Sequence, residues 1–278
     1  MFHTHPSSPD IRVYALASGS SGNATLVQAG KTNLLIDAGL PVRTLAPLLG
    51  RRGVGVSDLD AILLTHEHTD HSCGAGPMAR RTGAPLIANR ATLAAYAERD
   101  DLPFTTRELP TGGTLGIGAL GVRSFPIPHD AVEAVGFVLE AGTQQVTYVT
   151  DVGSVTPEVR AALRGASLAI VEANHDLDWL WRGPYTDEMK ARVASDTGHL
   201  SNADCAALLA ERLEEEGPLS VWLAHLSRVN NSPSLARRSV AASIAQRTRV
   251  PVRLEVALRD HPSVSWRAGT QAVQLSLL

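Results

Sequence analysis

Lysine is nearly absent from this chain: Lys31 and Lys190 are the only two among 25 basic residues, and arginine supplies the rest. Basic character does not dominate either, because 28 acidic residues leave a formal net charge of -3. That balance excludes a protein that coats nucleic acid through bulk charge. Any nucleic-acid substrate has to be held locally, by metal charge or by arginines near a cleft. Cysteine is equally scarce. Cys73 and Cys205 lie far apart and make no disulfide framework, so free thiols in a reducing cytosol are expected. No apolar run reaches the ~18 residues needed to cross a bilayer. The segment Met1 to Pro9 lacks the basic start and apolar stretch of a secretory signal. The expectation is a cytoplasmic protein with no membrane contact.

What is present suits a globular enzyme. A chain of 278 residues with 44% hydrophobic and 19% charged residues can bury a full α/β core. Met1 to Asp10 reads as a polar, proline-containing flexible tail, and residues 11–278 as one domain. Strand signals fall at Arg12 to Ala17, Ala24 to Val27, Thr32 to Ile36, Ala61 to Leu64, Pro85 to Ala88, Gly121 to Phe125, Gly136 to Leu139, Val146 to Thr150, Leu168 to Val171 and Leu219 to Ala224. Helices are expected at Val42 to Leu49, Ser72 to Arg81, Ala91 to Ala97, Pro157 to Leu163, Asp187 to Ala194, Ser201 to Glu215 and Pro233 to Gln246. The stretch around Trp179, Trp181 and Pro184 reads as irregular. Strands alternating with helices, with meander pieces between, point to an α/β fold of two packed sheets covered by helices.

The strongest chemical signal is Thr65-His66-Glu67-His68-Thr69-Asp70-His71, placed directly after a buried strand. Four potential metal ligands occupy six positions in a chain with ten histidines. An extended turn can aim one pair at each of two neighbouring cations. A helical His-Glu-x-x-His metalloprotease site is excluded, because the position four beyond His66 is Asp70. The bland alternative is a polar loop that happens to hold three histidines. Further donors stand at strand ends: His129, Asp151 and His225. Taken singly, such histidines are often hydrogen-bonded core residues, but a dimetal site must recruit ligands from distant strands. Asp151 is the best bridge, since a carboxylate has two oxygens to share.

Asp37-Ala38-Gly39, the His66 to His71 block, His129, Asp151 and His225 resemble, in order, the five metal-site motifs of metallo-β-lactamase-fold hydrolases. Ser18-Gly19-Ser20-Ser21-Gly22-Asn23, Glu172-Ala173-Asn174-His175-Asp176, Gly198-His199-Leu200-Ser201-Asn202 and His225-Leu226-Ser227 with Asn230-Asn231 are similar to one branch, the YycJ (WalJ) family. The resemblance runs from residue 18 to 231. It implies a four-layer αββα sandwich, two divalent metal ions (zinc or manganese) and a 5′→3′ exonuclease acting on DNA. Carried over, His66, His68 and His129 would hold one metal, and Asp70, His71 and His225 the other. Asp151 would bridge, and Asp37 would orient a ligand histidine. A β-lactamase usually places a cysteine near the Asp151 position, and none is there.

Gly198-His199-Leu200-Ser201 also resembles the Gly-His-Ser-Thr motif of ribonuclease Z, whose histidine is a general acid. Glu172-Ala173 looks like part of its partner motif, although Val171 stands where a histidine is usual. Ser201 and Asp204 make a capping box, which puts His199 just ahead of a helix N-terminus suited to a phosphate. The implied catalytic set is His199, Asp70 and Glu172. His199 would protonate the leaving oxygen after attack by a hydroxide bridging the two metals. Substrate is expected at Ser20, Ser21, Asn23, His175, Arg182 and Asn230. For the first three a structural turn is an alternative, and for His175 a bracing role. Arg182 and Tyr185, beside Trp179 and Trp181, would form a strand-gripping lid unless the tryptophans are core. Arg80-Arg81, Arg237-Arg238 and Glu67 read as solvated surface. Two other readings remain at this point: a small-molecule cyclic phosphodiesterase or glyoxalase-II-type thioesterase on the same fold, and an inactive metal-stabilised regulatory module.

Overall fold

Consecutive apolar residues on a strand must bury both of its faces, and several strands here are apolar throughout. In the computed structural model, which describes residues 10–100 and 105–268, these strands form the middle of two seven-stranded sheets. The first is built from β1 (Ile11–Ala17), β2 (Ala24–Ala29), β3 (Thr32–Ile36), β4 (Ala61–Leu63), β5 (Leu86–Ala88) and β6 (Thr106–Glu108). The second holds β7 (Thr114–Ile117), β8 (Leu120–Pro126), β9 (Val135–Ala141), β10 (Gln144–Val149), β11 (Leu168–Glu172), β12 (Leu219–Ala224) and β13 (Val252–Val256). The last strand, β14 (Ser265–Arg267), returns to the first sheet and pairs antiparallel with β1. The sheet orders are β14-β1-β2-β3-β4-β5-β6 and β13-β12-β11-β10-β9-β8-β7.

Side-chain alternation sorts each strand between two cores. Leu34 and Ile36 of β3, Leu63 of β4, Ile170 of β11 and Trp222 of β12 pack into one cluster between the sheets. Their neighbours Leu35 and Ile62 point the other way, onto α1 (Val42–Gly50), α3 (Ala75–Thr82) and α4 (Arg90–Ala97). Ala169, Val171, Val221 and Leu223 point outward from the second sheet, onto α5 (Pro157–Leu163), α8 (Asn202–Glu216) and α9 (Pro233–Arg247). Helix, sheet, sheet, helix is the expected four-layer αββα sandwich. Short helices α2 (Thr69–Ser72), α6 (Leu177–Arg182) and α7 (Asp187–Val193) lie on connections.

The differences from expectation have local causes. Residues 177–182 are helical where irregular chain was expected. The Asp176 side chain caps this turn by accepting the Trp179 N–H at 3.1 Å. Trp179 and Trp181 are exposed, so they are not core; Trp222 and Trp266 are the buried pair. The helix expected at Ser72 to Arg81 is α3, which starts three residues later at Ala75, and a separate short helix, α2, precedes it. Strands β6, β7, β13 and β14 had no counterpart in the sequence reading. The tail expected at residues 1–10 lies, apart from Asp10, outside the described residues. Among those described, no helix is long and apolar enough to cross a membrane.

Candidate metal centre

Strands β3 and β4 run parallel, as do β10, β11 and β12. Each carries an apolar run to the same edge of the sandwich and ends there in a polar residue. Asp37 follows β3, His66 follows β4, Asp151 follows β10, Glu172 ends β11, and His225 follows β12. Strand β8 delivers His129 to the same edge. The C-terminal ends of parallel strands are where open α/β sheets place their sites. Three of these residues hold a left-handed backbone: Asp37 (φ 57°), Asp151 (φ 56°) and His225 (φ 52°). They are the non-glycine positive-φ residues among those described. Such a conformation costs about 1–3 kcal/mol each and collects at functional sites.

The expected donors converge. His66, His68 and His129 each offer a nitrogen within 4.8 Å of the others, and Asp70, His71 and His225 form a second such group. Asp151 lies between them, with Oδ2 3.0 Å from His71 Nε2 and Oδ1 3.9 Å from His129 Nε2. The His66 ring centroid is 4.2 Å from that of His71 and 5.0 Å from that of His129.

In four of the five donor rings the other nitrogen is held from behind. His71 Nδ1 donates to Asp37 Oδ2 at 2.8 Å, and His129 Nδ1 to the Gly198 carbonyl at 3.1 Å. His225 Nδ1 donates to Glu172 Oε1 at 2.9 Å, and His66 Nδ1 lies 3.0 Å from Thr65 Oγ1. A ring whose N–H is fixed in this way presents its second nitrogen as a lone pair, as metal-ligating histidines do. His66 Nε2, His225 Nε2 and Asp151 Oδ2 are buried and make no hydrogen bond. Buried polar atoms without partners are rare, and their convergence fits divalent cations.

The charges answer one another. Burial pushes the His66 imidazole well below its ordinary pKa, helped by His71. Burial acts the same way on His71 and His225, but carboxylates outweigh it: Asp151 and Asp37 lift His71 well above its usual value, and Asp151, Asp70 and Glu172 lift His225 to about 10. Burial opposes the charge of Glu172 too, yet His199 and His225 bring its carboxyl down to about 2.

His199 stands beside the centre. Its ring lies 5.3 Å from that of His129 and 5.4 Å from that of His225. Its Nδ1 donates to Glu172 Oε1 at 2.9 Å, the oxygen that also accepts from His225. Glu172 Oε2 accepts the Val152 and Leu200 N–H groups at 2.9 and 3.2 Å. Despite burial, Glu172 raises the His199 pKa. The pairing of Glu172 with His199 is therefore present with Val171 in place of the usual histidine. Ser201 caps α8 by accepting the Asp204 N–H, and its hydroxyl gives its proton to Asp204 Oδ2 at 2.6 Å.

The six residues expected at substrate divide by burial. Ser20, Ser21 and Arg182 are exposed. Asn23 is buried under the metal loop, with Nδ2 2.9 Å from His71 Nε2. His175 and Asn230 are also buried, at 1% and 0% exposure, and their side-chain polar atoms have no hydrogen-bond partner. Arg80, Arg81, Arg237 and Arg238 lie on exposed helix faces as expected. Glu67 is only part-exposed and accepts the Val132 N–H.

Several supports escaped the sequence reading. Thr65 gives both its N–H and its hydroxyl to Asp37 Oδ1 at 3.0 Å. Tyr148 Oη reaches Asp37 Oδ2 at 3.4 Å, and Ser18 Oγ accepts the His225 N–H at 2.8 Å. Asn174 Nδ2 donates to the His225 carbonyl. Thr65 and Ser18 lie inside the histidine-rich and Ser-Gly motifs, whereas Tyr148 reads simply as a strand residue.

Comparison with known proteins places this geometry. A family model described as a β-lactamase superfamily domain matches residues 32–225, a span that contains all seven convergent donors. The chain is 34% identical over 234 residues to exodeoxyribonuclease YycJ of Bacillus anthracis, covering 84% of this chain and 88% of that protein. It is 36% identical over 235 residues to exodeoxyribonuclease WalJ of Streptococcus pneumoniae, covering 83% and 87%. Among solved structures, the metallo-β-lactamase fold protein YhfI from Bacillus subtilis matches with a TM-score of 0.71 over 93% of this chain and 99% of that one. Its identity is 18%, so that likeness speaks to the fold. The chain therefore belongs to the β-lactamase superfamily of metallo-β-lactamase fold, in its YycJ/WalJ branch.

Proposed function

We propose that this protein is a cytoplasmic, two-metal DNA exonuclease that removes nucleotides in the 5′→3′ direction, with His199 as general acid. The observation that carries the reading is His199 itself, a ring held by Glu172 against two donor groups whose lone pairs converge. Relatives named exodeoxyribonucleases support the substrate class.

In this reading His66, His68 and His129 would hold one cation and Asp70, His71 and His225 the other, with Asp151 placed to serve either group. Asp37 keeps His71 in the ligating tautomer. Bound divalent cations, zinc or manganese, would polarise the phosphodiester and make water acidic enough to act as hydroxide near neutral pH. His199 Nδ1 is committed to Glu172, so the proton it can deliver is on Nε2. Oxygen from water joins phosphorus, the P–O3′ bond breaks, and the His199 proton goes to the departing 3′-oxygen. The products are a 5′-phosphate and a 3′-hydroxyl. Ser20, Ser21 and Arg182 are assigned to direct substrate contact. Asn23, His175 and Asn230, being buried, are assigned to the wall behind it.

The test is digestion of single- and double-stranded DNA, labelled at either end, with Mn²⁺ or Zn²⁺. Wild type is expected to release the 5′ label first, as a mononucleotide, and Asp151→Asn is expected to be inactive. Asparagine tolerates the left-handed backbone at this position, so that variant removes charge with little added strain. No digestion with any metal, or equal digestion by the variant, would overturn the proposal.

A further inference from the structure

Arg192, near the C-terminal end of α7, stands at the open side of the metal centre, and its contacts fix it there. Its Nε and Nη2 both donate to Asp130 Oδ2, at 2.7 and 2.5 Å. The other oxygen of that carboxylate, Asp130 Oδ1, lies 3.3 Å from His129 Nε2. His129 Nδ1 is committed to the Gly198 carbonyl, so Nε2 is the nitrogen left to face a cation. The guanidinium is thus one carboxylate's width from a donor atom of the centre. The backbone is pinned as closely. The His199 N–H donates to the Val193 carbonyl at 2.9 Å, and a Cβ at Gly198 would come within 2.2 Å of the Arg192 carbonyl oxygen. Arg192 therefore occupies the rim between His129 and His199.

This arginine has donors to spare. Its side chain is 65% exposed, and Nη1 and the second Nη2 proton have no partner among the described residues. An exposed ion pair adds little stability by itself. A guanidinium whose orientation is fixed by a carboxylate instead presents its remaining N–H groups as a planar fork, the geometry that suits a phosphate. Asp130 turns one oxygen toward the centre and leaves the outer edge of the guanidinium to solvent. With a net charge of -3 the chain has no bulk positive field, so a local cation of this kind is where an anionic strand can be gripped.

The position between His129 and His199 decides which phosphate is met. In the proposed reaction His199 gives its proton to the departing 3′-oxygen, so the nucleotide being released lies on the His199 side. The next anion along that nucleotide is its own 5′-phosphate. We infer that Arg192, aimed by Asp130, binds this phosphate, the neighbour of the one being cut on the departing side. The inference rests on the nuclease reading and deepens it, by naming a residue that recognises the released end.

The test is equilibrium binding, by fluorescence anisotropy, of the metal-loaded full chain to a short oligonucleotide whose phosphorothioate links slow turnover. One version carries a 5′-phosphate and the other a 5′-hydroxyl. Wild type should bind the phosphorylated version about tenfold more tightly, the scale of one charge-assisted contact. Arg192→Ala should lose that preference, and the slope of log affinity against log salt should become shallower by about one. Arg192→Lys should recover part of the preference, because the charge stays while the fork is lost. A preference kept in Arg192→Ala, or a wild type indifferent to the 5′-phosphate, overturns the inference. So does equal weakening of both oligonucleotides with a lowered Tm, which would make the Asp130 pair a brace for α7 alone. Failure of the nuclease reading shows differently, as an intact preference with no cleavage of unmodified DNA.

Discussion

One carboxylate oxygen, Glu172 Oε1, accepts from both His199 and His225, while its partner oxygen takes two backbone N–H groups. This sharing separates two substitutions that would otherwise look alike. His199→Ala removes only the proton donor, and turnover should fall about 10²–10⁴-fold with the metals retained. Glu172→Gln must turn an amide N–H toward either the imidazoles or the backbone donors, and no acceptor waits on either side. It should lose turnover and weaken metal binding together. Elemental analysis beside rate measurement checks the pair; a His199→Ala protein as fast as wild type would remove the acid role. The donors were legible in the sequence because His66, His68, Asp70 and His71 crowd into one short block and His129, Asp151 and His225 stand at the ends of strand signals. Their braces were not: Thr65 and Ser18 sit inside motifs that do not say which donor they hold, and Tyr148 is an ordinary strand residue.

At the level of elements, the apolar strands and capped helices announce themselves, and Pro157–Leu163 and Leu219–Ala224 fall where periodicity puts them. The strands that escaped are peripheral. Strand β6 is three exposed residues, and β14 is three residues with only Trp266 buried. Neither has length enough for a period to register. Strand β13 is half-buried along its whole length at the edge of its sheet, so its alternation carries little contrast. The loops that lace the centre together obey closer tolerances. The Asn23 N–H donates to the Asp70 carbonyl at 2.7 Å and the Gly39 N–H to the Asn23 carbonyl at 2.9 Å. A Cβ at Gly39 would overlap the Asp70 carbonyl oxygen and come within 2.7 Å of the Asn23 nitrogen. Gly39→Ala should therefore cost about 1–3 kcal/mol and displace Asp70 and His71. Lower Tm and lower metal content are expected together. Gly50→Ala, with open space at its Cβ, should show neither change. Equal behaviour of the two variants would refute the account.

For the molecule as a whole, loading with cations should be a proton-releasing event. His71 and His225 sit well above the ordinary imidazole pKa, the second at about 10. Without cations their carboxylate neighbours therefore favour a proton on these rings, whereas a ligand imidazole must be neutral. Loading at pH 7 should expel protons, and affinity should fall as the pH drops. Titration calorimetry in buffers of different ionisation enthalpy measures the number; heats independent of buffer would contradict it. The four-layer architecture follows from the alternation of apolar segments. The meeting of His66 with His225 across two sheets is implied by the family resemblance and not by that alternation.

That meeting has a consequence for any severed form of the chain. A nick between β6 and β7 would leave His66, His68, Asp70 and His71 on one piece and His129, Asp151 and His225 on the other. The first piece would also lose β14, which covers the β1 edge of its own sheet. Neither fragment could seat the ions by itself, so uptake of the full metal complement would report that the halves had found each other again.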